Sequence, residues 1–338
     1  MITHSIIENR PKSWVDLAKG SAIILVVIGH TVLGLGPSLV IVADYGNALT
    51  EMIYLFHMPL FFALSGVVFV KLDIRFNWQN WISKILKLTW TMVLWTYVFL
   101  IAKLVGGEVN NDAISSEALF KLPIPGILHF WFLWDIIVYS VLMFPLIFIG
   151  HRRKATFNYF YFLLILSIFS NFYNFADTIE YWVGRSLDNL IYFALGFLIV
   201  HSIENKGWSD WIKIFPLIFV IPLLIMDVSN SHIMIFTRTV LLVAILTISF
   251  MATDSLNGML PNLVANLGRL SLAIYVMHTI FSAFTRAILL KLGVISFELH
   301  LLAGVSVGLL GPLLINALMQ KLGMAQLLGL PKRTFRFA

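Results

Sequence analysis

Residues 16–38 read DLAKGSAIILVVIGHTVLGLGPS. Past Lys19 the run is apolar apart from small residues and His30 until Pro37 closes it. An apolar stretch of about 20 residues matches the hydrocarbon thickness of a bilayer. The basic leader, Arg10, Lys12 and Lys19, resembles a signal peptide only loosely. The run is too long and lacks a small-residue cleavage site, so it is expected to be a retained first helix.

The same pattern recurs along the 338 residues, of which 59% are hydrophobic and only 12% charged. Mean hydropathy is +0.91. A soluble domain carries about 25% charged residues, and half that density cannot coat a water-soluble globule. The sequence therefore predicts an all-α, polytopic membrane protein with about ten transmembrane helices. The spans are expected near residues 18–38, 51–70, 86–105, 130–149, 156–173, 188–203, 212–227, 232–252, 269–290 and 299–320. Asp227 and Arg238 interrupt the seventh and eighth. No segment is large enough for a soluble domain, so residues 1–338 are read as one integral-membrane domain.

The formal charge of +6 does not point to nucleic acid. The basic residues sit in short clusters between apolar runs, as in Arg152-Arg153-Lys154. Most fall on one side of the ten-span scheme, while the acidic Glu108, Asp112 and Glu117 fall on the other. By the positive-inside rule this predicts both termini inside. There is no cysteine, which excludes disulfides, thiolate metal sites and a cysteine nucleophile.

Ionisable side chains within spans are costly and mark functional interiors. Lys19 and His30 are eleven positions apart, which returns to nearly the same helix face about 16 Å further along the axis. Asp16 lies within about 60° of that stripe. Counting along the second span puts His57 about 21 Å from the inner face, and His278 in the ninth rises about 13 Å from Arg269. Three histidines on three helices thus reach the middle of the bilayer. Asp135 and Arg238 fall further out. The competing reading is a snorkelling Lys19 and a His30 satisfied by a backbone carbonyl. No metal is expected, because no histidine has a second ligand at a helical spacing such as i, i+4. Lys84 and Lys87 share a face at i, i+3. With Lys19 and Arg269 they suit either a cationic mouth or lipid headgroup contact.

Several segments resemble the integral-membrane acyltransferase-3 family, and within it the fucose 4-O-acetylase-like branch. They are Asp16-Leu17-Ala18-Lys19-Gly20 leading to Gly29-His30, and Phe56-His57-Met58-Pro59-Leu60-Phe61-Phe62 with Ser65-Gly66. His129-Phe130-Trp131-Phe132-Leu133 and Ser271 through His278 follow in the family's order. The family's basic residue paired with a histidine on the first helix is usually arginine. Lys19 takes that place here, which loses a bidentate anion contact. Lys84 and Lys87 likewise stand for a basic pair opening the third span, without the proline that often follows.

The resemblance implies an O-acyltransferase of the bacterial inner membrane. Its donor would be acetyl-CoA or another acyl-CoA, used as substrate with no permanently bound cofactor. Its acceptor would be a hydroxyl of a cell-surface or lipid-linked carbohydrate. On that reading His30 is the base, with Lys19 and Asp16 beside it in the catalytic set. Lys19, Lys84, Lys87 and Arg269 hold the phosphates of the donor. His57, Asp135, Arg238 and His278 position the sugar or stabilise the oxyanion. The rival class is a proton-coupled transporter of a sugar, since buried His and Asp also build proton relays.

Overall fold

The computed structural model describes residues 14–36, 44–73, 78–106, 116–143, 153–173, 179–206, 237–246 and 258–332. Among these residues there is helix, turn and coil but no strand. The helices are α1 (Trp14–Leu35), α2 (Asp44–Asp73), α3 (Trp78–Gly106), α4 (Trp131–Leu142), α5 (Arg153–Phe172), α6 (Tyr181–Lys206), α7 (Thr237–Leu246), α8 (Met259–Arg269), α9 (Ser271–Lys291) and α10 (Phe297–Lys321). Five of them are long and apolar enough to cross a membrane: α1, α2, α3, α9 and α10. The helix of the expected fourth span is shorter, and α6 carries Arg185 and Asp188. The expected seventh span, residues 212–227 with Asp227, lies outside the described residues, as does much of the eighth.

The chain divides into two compact units. The first takes Met1–Ala18, Met58–Leu86 and Asp135–Asn257. Its core is aromatic. Phe160 of α5 lies flat on Phe197 of α6 at 3.5 Å between ring centroids. Tyr139 of α4 meets Phe193 at 4.9 Å and Phe62 of α2 at 5.6 Å. Two glycines let α2 and α6 touch backbone to backbone. A Cβ on Gly66 would overlap the Phe193 carbonyl, and one on Gly196 would overlap the Ala63 carbonyl. In a membrane, apolar burial does not drive helices together, so such close van der Waals approach carries the association.

The second unit takes Lys19–His57, Lys87–Trp134 and Gly258–Ala338. Gly20 of α1 sits on the Val264 carbonyl of α8. Gly304, Gly308 and Gly311 form a bare stripe on α10 that receives Thr31 of α1, then Ser282 and Val27, then Phe281. The Ser282 hydroxyl donates to the Gly304 carbonyl at 3.0 Å. After α10 the chain turns back onto α3. Trp90 and Trp95 donate their indole N–H groups to the Leu327 and Leu328 carbonyls at 2.7 and 2.9 Å. Gly329 has φ +67°, and a side chain there would also meet Thr91.

The α10 stripe yields a first expected result. In Gly308→Val the added atoms meet Ser282 Oγ at 2.6 Å and Val27 Cγ1 at 2.9 Å. Overpacking of this kind costs about 1–3 kcal/mol, so thermal unfolding in detergent should begin at a lower temperature. An unchanged transition would mean that α10 is not pressed against α1 and α9.

Candidate active site

The site is built in the second unit from α1, α2, α9 and the short turn before α4. His30 is half-buried near the C-terminal end of α1. Its ring centroid lies 5.2 Å from that of His278 on α9 and 6.1 Å from that of His129. His129 and His278 are 5.8 Å apart. Three imidazoles from three distant parts of the chain therefore share one small volume.

Each ring is held by identifiable contacts. His278 is fully buried, and its Nδ1 lies 3.1 Å from the Ile274 carbonyl and 2.8 Å from the Tyr275 carbonyl. Carbonyl oxygens only accept, so Nδ1 carries the hydrogen. In the neutral ring Nε2 then bears the lone pair. That Nε2 is buried with no hydrogen-bond partner, and so is Nε2 of His129. Buried polar atoms in native folds are normally paired, so two orphaned ring nitrogens at one place mark it as functional.

His129 is positioned by a strained turn. Leu128, immediately before it, has φ +52°, a left-handed conformation that a branched side chain adopts at a cost of about 1–3 kcal/mol. The phenol of Tyr275 donates to the His129 carbonyl. His30 is approached from α2 by Tyr54, whose hydroxyl is 3.5 Å from His30 Nδ1. His57 stands behind Tyr54, 4.7 Å from its ring, with Nδ1 donating to the Ile53 carbonyl at 2.7 Å. Tyr54 thus contacts both His57 and His30.

A cavity of about 960 Å³ borders His30 and His129. Its walls come from the C-terminal halves of α1, α3 and α9. They are mostly apolar, with Lys103, Arg286 and Lys291 as cationic exceptions. The buried Thr279 hydroxyl on its wall has no partner. The Arg286 guanidinium donates to the Gly34 carbonyl.

The cationic residues expected to meet a donor are placed differently from one another. Lys19, Lys87 and Arg269 belong to this unit. Lys19 and Lys87 lie toward the starts of α1 and α3, and Arg269 ends α8 just before α9. Each is at the opposite helix end from the cavity wall. Lys19 is half-buried, Lys87 is exposed, and Arg269 donates to Asn266 Oδ1 at 2.7 Å. Lys84 and Asp16 belong to the first unit, where the Lys84 ammonium sits 3.8 Å over the Phe69 ring. Asp135 and Arg238 are in the first unit as well. Asp135 is fully buried, with Oδ1 2.7 Å from the Ser186 hydroxyl and 3.3 Å from Arg185 Nη2. Arg238 lines a small polar cavity with Arg185 and Tyr192.

Among the described residues no group of three His, Asp or Glu is arranged to hold a metal ion. His129, Tyr54 and Tyr275 are the members of the site that spacing along the chain does not reveal. His129 precedes its span, and only the Leu128 turn aims it inward.

Apolar helices of membrane-crossing length around buried imidazoles define a membrane protein with an ionisable interior. The comparison with known families makes this specific: the acyltransferase domain family Acyl_transf_3 matches residues 12–317, and the chain belongs to that family. It is a multi-pass membrane acyltransferase. No curated protein and no solved structure matches it.

Proposed function

We propose that the protein is an O-acetyltransferase that moves an acetyl group from acetyl-CoA to a hydroxyl of a carbohydrate, cell-surface or lipid-linked. The observation that carries this reading is His30, set among two further imidazoles at the edge of a large cavity. On this reading the membrane is the bacterial inner membrane, crossed about ten times with both termini inside.

The chemistry asks little of the site beyond placement. His30 takes the proton of the acceptor hydroxyl as its oxygen attacks the thioester carbonyl. The tetrahedral oxyanion is met by a donor such as the Thr279 hydroxyl. The C–S bond then breaks, and the CoA sulfur leaves with the proton returned from the imidazolium. Imidazole suits both proton steps because its ordinary pKa lies near neutrality. Tyr54 steadies the His30 ring. The two substrates approach from opposite helix ends: the donor's phosphates at Lys19, Lys87 and Arg269, the acceptor through the apolar cavity.

The test is transfer of labelled acetyl from acetyl-CoA by purified protein in nanodiscs, with polysaccharide or lipid-linked glycan as acceptor. Uptake of a sugar driven by a proton gradient, without transfer of label, would instead support the transporter. The donor site is checked separately. Lys87→Ala removes an exposed charge, so it should raise KM for acetyl-CoA several-fold and leave kcat near the parent value. Lys19→Arg should keep donor affinity, since guanidinium binds phosphate at least as well as ammonium. An unchanged KM in Lys87→Ala, or collapse of binding in Lys19→Arg, would remove the phosphate role.

A further inference from the structure

The first unit contains a polar cavity of about 230 Å³ that the transfer chemistry does not use. It lies among the end of α5, the first turns of α6 and the start of α7. We infer that this cavity is a subsite for a single sugar ring, recognised through its hydroxyl groups.

The argument rests on which hydrogen-bonding roles the wall presents. Arg185 and Arg238 are donors only. Nε of Arg238 is buried with no partner. Asn171 and Asn189 use their amide N–H groups on backbone carbonyls, Asn171 on Ser167 at 2.8 Å and Asn189 on Arg185 at 2.9 Å. That turns both residues into presenters of an acceptor oxygen. Asp188 adds a carboxylate. A wall that mixes fixed donors with fixed acceptors does not suit an anion, which can only accept, nor an ammonium, which can only donate. A hydroxyl does both, and a ring carrying several hydroxyls meets every wall group at once.

Charge and size agree with that choice. The guanidinium of Arg185 is 3.3 Å from the buried Asp135 carboxylate, and Asp188 faces the same space as Arg238. The cavity therefore has no strong net sign to attract a phosphate. Its volume falls below the range of about 300–1,000 Å³ usual for drug-sized ligands, so it admits one ring rather than a chain. Tyr181 stands at the rim, 77% exposed, with Arg185 5.4 Å over its ring. An exposed aromatic face held by a cation is a platform for the apolar face of a pyranose.

The inference is independent of whether His30 transfers acetyl, because it is read by binding alone. The intact protein in nanodiscs, without acyl-CoA, is titrated with a panel of methyl hexosides, a free amino acid and inorganic phosphate by saturation-transfer NMR. At least one methyl hexoside should bind. Tyr181→Ala, an exposed position that should not disturb folding, and Arg238→Gln should each weaken it about tenfold. His30→Ala should leave it unchanged. Binding of phosphate or of the amino acid in a manner abolished by Arg238→Gln would overturn the inference in favour of a charged ligand. Absence of hexoside binding, or binding lost in His30→Ala but retained in Tyr181→Ala, would also overturn it. The last outcome would leave the acetyltransferase reading standing.

Discussion

A His30→Ala protein is expected to transfer labelled acetyl at least a hundredfold more slowly than the parent, and up to about ten-thousandfold. A positioned general base contributes that much, and the rings of His278 and His129 are centred 5.2 and 6.1 Å from that of His30, so neither fills its place without rearrangement. His278 has its Nδ1 committed to two backbone carbonyls. His129 hangs from a turn whose carbonyl is tied to Tyr275. The substitution should leave folding intact. The buried side of α1 is made by Ala18, Ala22, Ile23, Val26 and Val27, each at most 2% exposed, whereas His30 is only half-buried. Unfolding temperature in detergent and rate of transfer are therefore measured on the same preparation. Near-parental activity would move the base to His278 or His129. His278→Gln is the informative companion. A loss there with His30 intact would show that the orphaned Nε2 of His278 takes part in the proton path.

The second large effect is on stability. Asp135→Ala should lower stability by about 3–5 kcal/mol, because removing one partner of a buried ion pair leaves the other uncompensated. Arg185 would lose the carboxylate 3.3 Å away, and Ser186 the oxygen 2.7 Å away. Asp135→Asn should cost less than this, since its amide oxygen still accepts from both groups, but more than nothing, since the Arg185 guanidinium loses its counter-charge. Unfolding of such proteins is often irreversible, so the comparison is between apparent midpoints at one scan rate. Equal midpoints for parent and Asp135→Ala would mean that the pair does not hold α4 to α6.

The helices that hydropathy finds most readily are those whose apolar runs match the bilayer: α1, α2, α3, α9 and α10. Their ends are less legible. α2 begins at Asp44 and α3 at Trp78, whereas the apolar runs begin near 51 and 86. Asn47, Thr50 and Glu51, or Gln79 and Asn80, continue a helix without adding hydropathy, so the hydrophobic signal marks the lipid-matched length only. The apolar run of α6 is interrupted by Arg185 and Asp188, and Arg185 is met by Asp135 of α4.

Within the site, axial depth was readable and lateral grouping was not. A rise of 1.5 Å per residue places His30 and His278 at similar depth, and the structure brings them together. The same arithmetic gives His57 comparable standing, yet the ring contact with His30 from α2 is made by Tyr54, three residues earlier. Asp135 and Arg238 share a unit with Arg185 because α4, α6 and α7 are neighbours there, a fact that no single helix encodes. His129 needed a left-handed residue before it, and nothing in a hydropathy profile announces one.

The imidazole spacing depends on atoms that are missing. Where α10 meets α1 and α9 it offers Gly304, Gly308 and Gly311, so the gauge of the catalytic neighbourhood is the thickness of naked backbone. Elsewhere the same helix shows Leu302, Leu310 and Leu314 outward, each more than half exposed. Under mutational drift the two faces should behave as different materials. The outward leucines can be exchanged for any lipid-soluble residue with little consequence. A single methyl group on the other face would press on α1 and α9 and so shift the distance between the two histidines they carry.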